Sequence, residues 1–152
     1  MKFLKAVRLD DSDERVLAAE GGAAVDGEWV VAGGYAVCDP ARGHRVPQCH
    51  CESTFVAVGS RRRCTIAEVA ELDPAMHEQL RAVLIRHFME DLGAPSAEAA
   101  RSVAEEELSY TADLAAGFPE EVWITVQREA TPDGVGERYS VFNRLMIGAH
   151  KL

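Results

Sequence analysis

No stretch of the 152 residues is long and apolar enough to cross a bilayer, which excludes a membrane-spanning helix. No export signal is expected either. The opening run Met1-Lys2-Phe3-Leu4-Lys5-Ala6-Val7-Arg8 carries charges where a signal peptide needs an apolar core, and Asp10, Asp11 and Asp13 follow. The chain is therefore expected to stay in the cytoplasm. Basic residues are in deficit, 16 Lys and Arg against 25 Asp and Glu, giving a net charge of −9. Such a balance argues against nucleic-acid binding, where many cations must replace phosphate counterions. The run Arg61-Arg62-Arg63 is read as an exposed turn after a strand, flanked by Gly59 and Ser60. Four cysteines in a chain without export features are expected to be reduced thiols, not a disulfide framework.

Catalytic motifs are absent as well. The sequence contains no phosphate-binding G-x-x-x-x-G-K-[ST] loop, and Gly33-Gly34 lacks the spacing of a dinucleotide-binding turn. It has no G-x-S-x-G elbow, no H-E-x-x-H pair and no C-x-x-C knuckle. These absences together lean the reading away from an enzyme.

What is present is a chain of one-domain size, 47% hydrophobic, long enough to bury a core without staples. Residues 1–152 are expected to form one domain. Its two ends read as strands. Phe3, Val7 and Leu9 alternate with Leu4, Ala6 and Arg8; Trp29, Val31, Tyr35 and Val37 share a face; Thr54 to Val58 is a short strand ended by Gly59. The closing segment alternates through Val122, Ile124 and Val126. It turns at Thr131-Pro132-Asp133-Gly134 and returns through Tyr139, Val141, Leu145 and Ile147.

The middle is helical. Asp73-Pro74 is a strong start signal, because Asp caps free N–H groups and Pro suits the first helical position. That helix is expected to run to about Leu92, and a second, capped by Ser96, to end near Gly117. A brief helical turn over Ile66 to Leu72 is placed before them. The short link makes the two helices an antiparallel hairpin. The predicted fold is α+β: an antiparallel sheet of about five to six strands, with the helix hairpin packed on one face.

Two places could carry chemistry. The first is Cys49-His50-Cys51. Residues two apart in an extended chain point the same way, so Cys49 and Cys51 could present two thiolates; Cys64 and His50 would complete a zinc-type set. Against this, the spacing matches no zinc-finger pattern, and cysteine often serves as a small buried hydrophobe. No cofactor is the default expectation, with zinc the alternative.

The second is the helix pair. On a wheel of the second helix, Ala100, Val103, Ala104, Leu108, Tyr110, Leu114 and Ala115 fill one arc, and Glu107 lies inside it with Thr111 one turn on. An unpaired carboxylate there would be costly. A cross-helix bridge to Arg81 is the favoured partner, with Arg8 or Arg128 next. A functional carboxylate is the alternative. In the first helix, His77 and His87 fall on the core stripe; Asp91 stands one turn beyond His87, placed to fix its tautomer. His77 could join Thr111 and Glu107 in a polar pocket for a small molecule. Ala82, Ile85, Met89 and Leu92 form a second apolar side on this helix, which suits a partner protein or a homodimer contact.

Several stretches also carry a resemblance: Met1-Lys2-Phe3-Leu4 through Asp10, Gly27-Glu28-Trp29-Val30-Val31 through Ala36, Ser53 to Val58, and Ala104-Glu105-Glu106-Glu107-Leu108. Through them the chain resembles a small uncharacterised family of proteobacterial proteins, a domain of unknown function. The resemblance implies a setting beside molybdoenzyme or formate-dehydrogenase-like genes, and the Cys-His-Cys run is not part of its pattern. The leading expectation is a non-enzymatic accessory protein that acts through protein contacts, in assembly of a larger redox enzyme. A metal- or thiol-dependent protein and a small-molecule pocket around Glu107 are its rivals.

Overall fold

A computed structural model describes residues 1–8, 15, 22–32, 53–91, 93–132 and 134–143. The described strands are β1 (Lys2–Val7), β2 (Trp29–Val31), β3 (Phe55–Ala57), β4 (Arg63–Cys64), β5 (Ile66–Glu71), β6 (Trp123–Thr131) and β7 (Gly134–Phe142). Between β5 and β6 lie α1 (Pro74–Glu90) and α2 (Ala97–Ala116). All seven strands join one antiparallel sheet in the order β4-β3-β2-β1-β5-β6-β7.

The α+β class and the helix pair are as the sequence predicts; the strand count is higher than five to six. The difference comes mainly from residues 63–71. Ile66, Val69 and Ala70 mimic a helical spacing, but the chain instead buries Ala67 and Val69 and pairs along the whole length of β1, from Lys2 opposite Glu71 to Val7 opposite Ile66. Non-local pairing overrides the local period here. Leu9, Tyr35, Val37, Leu145 and Ile147 lie outside the described residues.

The helix boundaries follow local chemistry. The Asp73 carboxylate accepts from the Met76 amide at 2.8 Å, and the Ser96 hydroxyl accepts from the Ala99 amide at 3.1 Å. Each cap satisfies an N–H group the first turn leaves over, worth about 1 kcal/mol. After α1 the backbone turns through Gly93 at φ +70°, a conformation that a side chain would strain.

β1 is the centre of the structure. Phe3 and Leu4 are both fully buried, although neighbours on a strand point to opposite faces. Both faces of β1 are therefore covered. On the Leu4 face a cross-strand row runs Ala57–Val30–Leu4–Val69, continued by Phe55, Cys64, Ala67, Ile124 and Val126. On the Phe3 face, Val31 and Leu72 meet Leu80, Leu84 and Phe88 of α1 and Ala100, Ala104 and Leu108 of α2. The end of α2 then turns to the other cluster through Leu114 and Ala115. The expectation of a hairpin on one face is corrected accordingly: α2 serves both clusters.

The sheet is curled. Arg128 on β6 hydrogen-bonds backbone carbonyls at the end of β2 and just before β3, at 2.9 and 2.8 Å. On a flat sheet β6 and β2 would stand three strand spacings apart, about 14 Å, beyond the reach of an arginine. Only a curl brings them together.

Replacing Phe3 with Ala removes the largest fully buried side chain of its cluster and should cost roughly 3–5 kcal/mol. Urea unfolding checks this; a loss below about 1 kcal/mol would contradict a doubly covered central strand.

Candidate functional site

The inner end of the curl is polar, and the strand period puts it there. On β6, Ile124, Val126 and Arg128 share a face, and the β7 partners of the last two are Tyr139 and Glu137. Arg128 is 2% exposed. Its Nη1 donates to the Thr54 carbonyl and its Nη2 to the Ala32 carbonyl, while its Nε lies 4.0 Å from the Glu137 carboxylate. Burial pushes the Arg128 pKa down; the Glu137 charge opposes that, and the neighbouring Arg63 adds to it.

Thr54 links the two cations. Its carbonyl takes Arg128, and its hydroxyl accepts from Arg63 Nη1 at 3.2 Å. Arg63 is itself buried, so the reading of Arg61 to Arg63 as an exposed turn holds only for Arg62. Arg61 takes the turn's positive φ, and Arg63 already belongs to β4, on the face opposite that of Cys64.

α2 closes this end. The Tyr110 hydroxyl donates to Glu137 Oε2 at 2.8 Å and lies 2.9 Å from the Tyr139 hydroxyl, which also donates to Glu137. The next residue is Thr111, whose hydroxyl accepts from the Ala32 amide at 3.1 Å. Desolvation raises the pKa of Tyr139 strongly and, together with the Glu137 charge, raises that of Tyr110.

Glu107 is buried at 9% exposure, as the helical wheel predicts, but Arg81 does not meet it. Arg81 pairs with Glu78 at 3.2 Å and across the helices with Glu105 at 3.7 Å. The hairpin register places Arg81 opposite the exposed side of α2, two residues before Glu107. His87 Nδ1 stands 3.1 Å from the Asp91 carboxylate, which can only accept, so Nδ1 carries the proton.

His77 is not brought to Thr111 and Glu107. It lines a cleft of about 350 Å³ between the helices, with Arg81, Glu105, Leu108, Ser109 and Asp113. Thr111 turns instead to the sheet, bonding Ala32. His77 and Thr111 thus serve two separate places, the cleft and the inner polar end.

Cys49, His50 and Cys51 lie outside the described residues. Cys64 is buried on the Leu4 face, opposite Phe55, in the role of a small hydrophobe. Among the described residues no group of three or more His, Cys, Asp or Glu side chains could hold a metal ion. No described helix is long and apolar enough to cross a membrane.

Nothing local in the sequence marks the tyrosine pair, Glu137 or the burial of Arg63. Arg128 stood out only as a reserve partner for Glu107. The usable signal was an arginine two residues after Val126 on the inward row of a strand.

These features define an α+β protein with a curled antiparallel sheet, pinned at its inner end by a buried arginine, a glutamate and two tyrosines. Residues 1–150 match a family of unknown function, DUF6505, and the chain belongs to it. No curated protein matches it, and no solved structure does.

Replacing Arg128 with Met strands two carbonyls and the Glu137 charge, and should cost roughly 3–5 kcal/mol in urea unfolding. Arg128→Lys should not restore stability, because a single ammonium cannot span both carbonyls. Arg81→Ala, at a half-exposed pair, should cost less than about 1 kcal/mol. Equal losses at the two positions would refute the assignment.

Tyr110 and Tyr139 also set a pH dependence. Their pKa values lie above the ordinary 10.0, so the folded state holds the phenol protons more tightly than the unfolded chain. Their contribution is intact below pH 10 and is lost as pH rises above it, through the folded-state values. Tyrosinate absorbance should show two of the three tyrosines titrating late, together with unfolding. Three ordinary titrations in the folded protein would contradict this.

Proposed function

We propose that this protein is a non-enzymatic accessory protein that works through contact with another protein. The family resemblance suggests assembly of a larger redox enzyme as the setting. The observation that carries the reading is the surface of the helix pair. Met89, Val103 and Tyr110 are 44%, 37% and 42% exposed there, although the sheet buries most of its own large side chains. Methionine and aromatic side chains are enriched at the centres of protein interfaces.

Charge supports the same surface. Between residues 73 and 117 the chain holds nine acidic residues against three arginines, which is most of its net negative charge. Such a field steers association with a basic partner and disfavours acidic ones. The lack of standard catalytic motifs in the sequence is consistent with this role.

Photo-crosslinking in the native cell tests it. A photoreactive residue at Met89 or Val103 should give a discrete adduct with a second protein, and one at Val25, exposed on a turn of the sheet, should not. Adducts no stronger than those at Val25 would overturn the proposal. An adduct of two copies of this chain alone would replace the separate partner with a homodimer.

A further inference from the structure

The cleft between the helices has a chemistry of its own. Glu105, Ser109 and Asp113 recur every four residues on α2 and so lie along one face of it. Leu108 and Ala112 give the same cleft an apolar lining, and His77 and Arg81 border it from α1, also four residues apart.

The charges in this cleft are unequally used. Arg81 is held by Glu78 and Glu105, and the ammonium of Met1, which also lines the cleft, by Glu71 at 2.7 Å, so both cations are already matched. The Asp113 carboxylate, exposed in the cleft, has no hydrogen-bond or ion-pair partner among the described residues, and neither has the Ser109 hydroxyl. The cleft thus offers an apolar wall, a hydroxyl acceptor and an unmatched negative charge within two helical turns.

A long aliphatic stem ending in a cation fits that combination. Lysine and arginine lay their methylenes along apolar surface and keep the charged head among polar groups. An anion would meet Asp113 unscreened, and an uncharged apolar side chain would leave it without a partner. We propose that this cleft receives a lysine or arginine side chain of a basic partner protein. The inference rests on the protein-contact reading above and adds to it the class of residue recognised.

The test uses the full chain, isotope-labelled, and a short capped peptide, acetyl-Gly-Arg-Gly-amide, with its citrulline counterpart as the uncharged control. Adding the arginine peptide should shift the amide signals of Ser109, Ala112 and Asp113 saturably. Citrulline in place of arginine, or Asp113→Asn in the protein, should weaken binding about two- to fivefold, the range of an exposed ion pair. Raised salt should weaken it further. No saturable shift at these amides, or equal binding by the citrulline peptide and by D113N, would overturn the proposal. The two readings fail separately. Crosslinks from Met89 and Val103 that persist in D113N would keep the protein contact and remove only the cleft's part in it.

Discussion

The curl of the sheet depends on one guanidinium. Arg128 sits on the inward row of β6 and spends its Nη donors on carbonyls at the end of β2 and the approach to β3. Planar, always charged and carrying five donors in a fixed fork, arginine suits this task as lysine does not. Burial of that charge is unfavourable by itself, as the lowered pKa records. The nearby Glu137 carboxylate and two backbone acceptors offset the cost, and they do so only when the sheet is closed on itself. A flat sheet would leave the same cation buried among fewer partners or exposed to water.

From that contact the rest of the arrangement follows. Glu137, drawn toward Arg128, accepts from Tyr110 and Tyr139, which fastens α2 to β7. Thr111, one residue on, bonds the amide of Ala32, whose carbonyl Arg128 already holds. Helix, closing hairpin and the end of β2 therefore meet at one point. Earlier on α2, apolar Ala100, Ala104 and Leu108 face Phe3 and the first helix. The inner polar end thus works as a structural tie, while the outer side of the helix pair and its cleft stay open to solvent.

Much of this fold was legible in the sequence, for local reasons. Asp73-Pro74 and Ser96 announce helix starts through capping chemistry, and the structure shows both caps. The His87–Asp91 contact follows from a spacing of four on a helix. Alternation from Val122 to Val126 and the turn near Pro132 give the closing hairpin. What was hidden depends on partners distant in sequence. Ile66 to Glu71 is a strand because β1 pairs with it along its full length, not because its own residues demand it. Tyr110 meets Glu137 across 27 residues, and Arg128 meets Thr54 across 74, so neither contact has a local signature. Arg63 looked like surface because its neighbours are charged, yet it opens a two-residue strand and is buried there.

The curl requires the Arg128 side chain to cross the inside of the sheet. Nuclear magnetic resonance of its guanidinium protons measures this. They should exchange slowly with water and show through-space contacts to Ala32 and Thr54. Fast exchange and contacts confined to β5, β6 and β7 would mean that the sheet is open and the proposed tie does not exist.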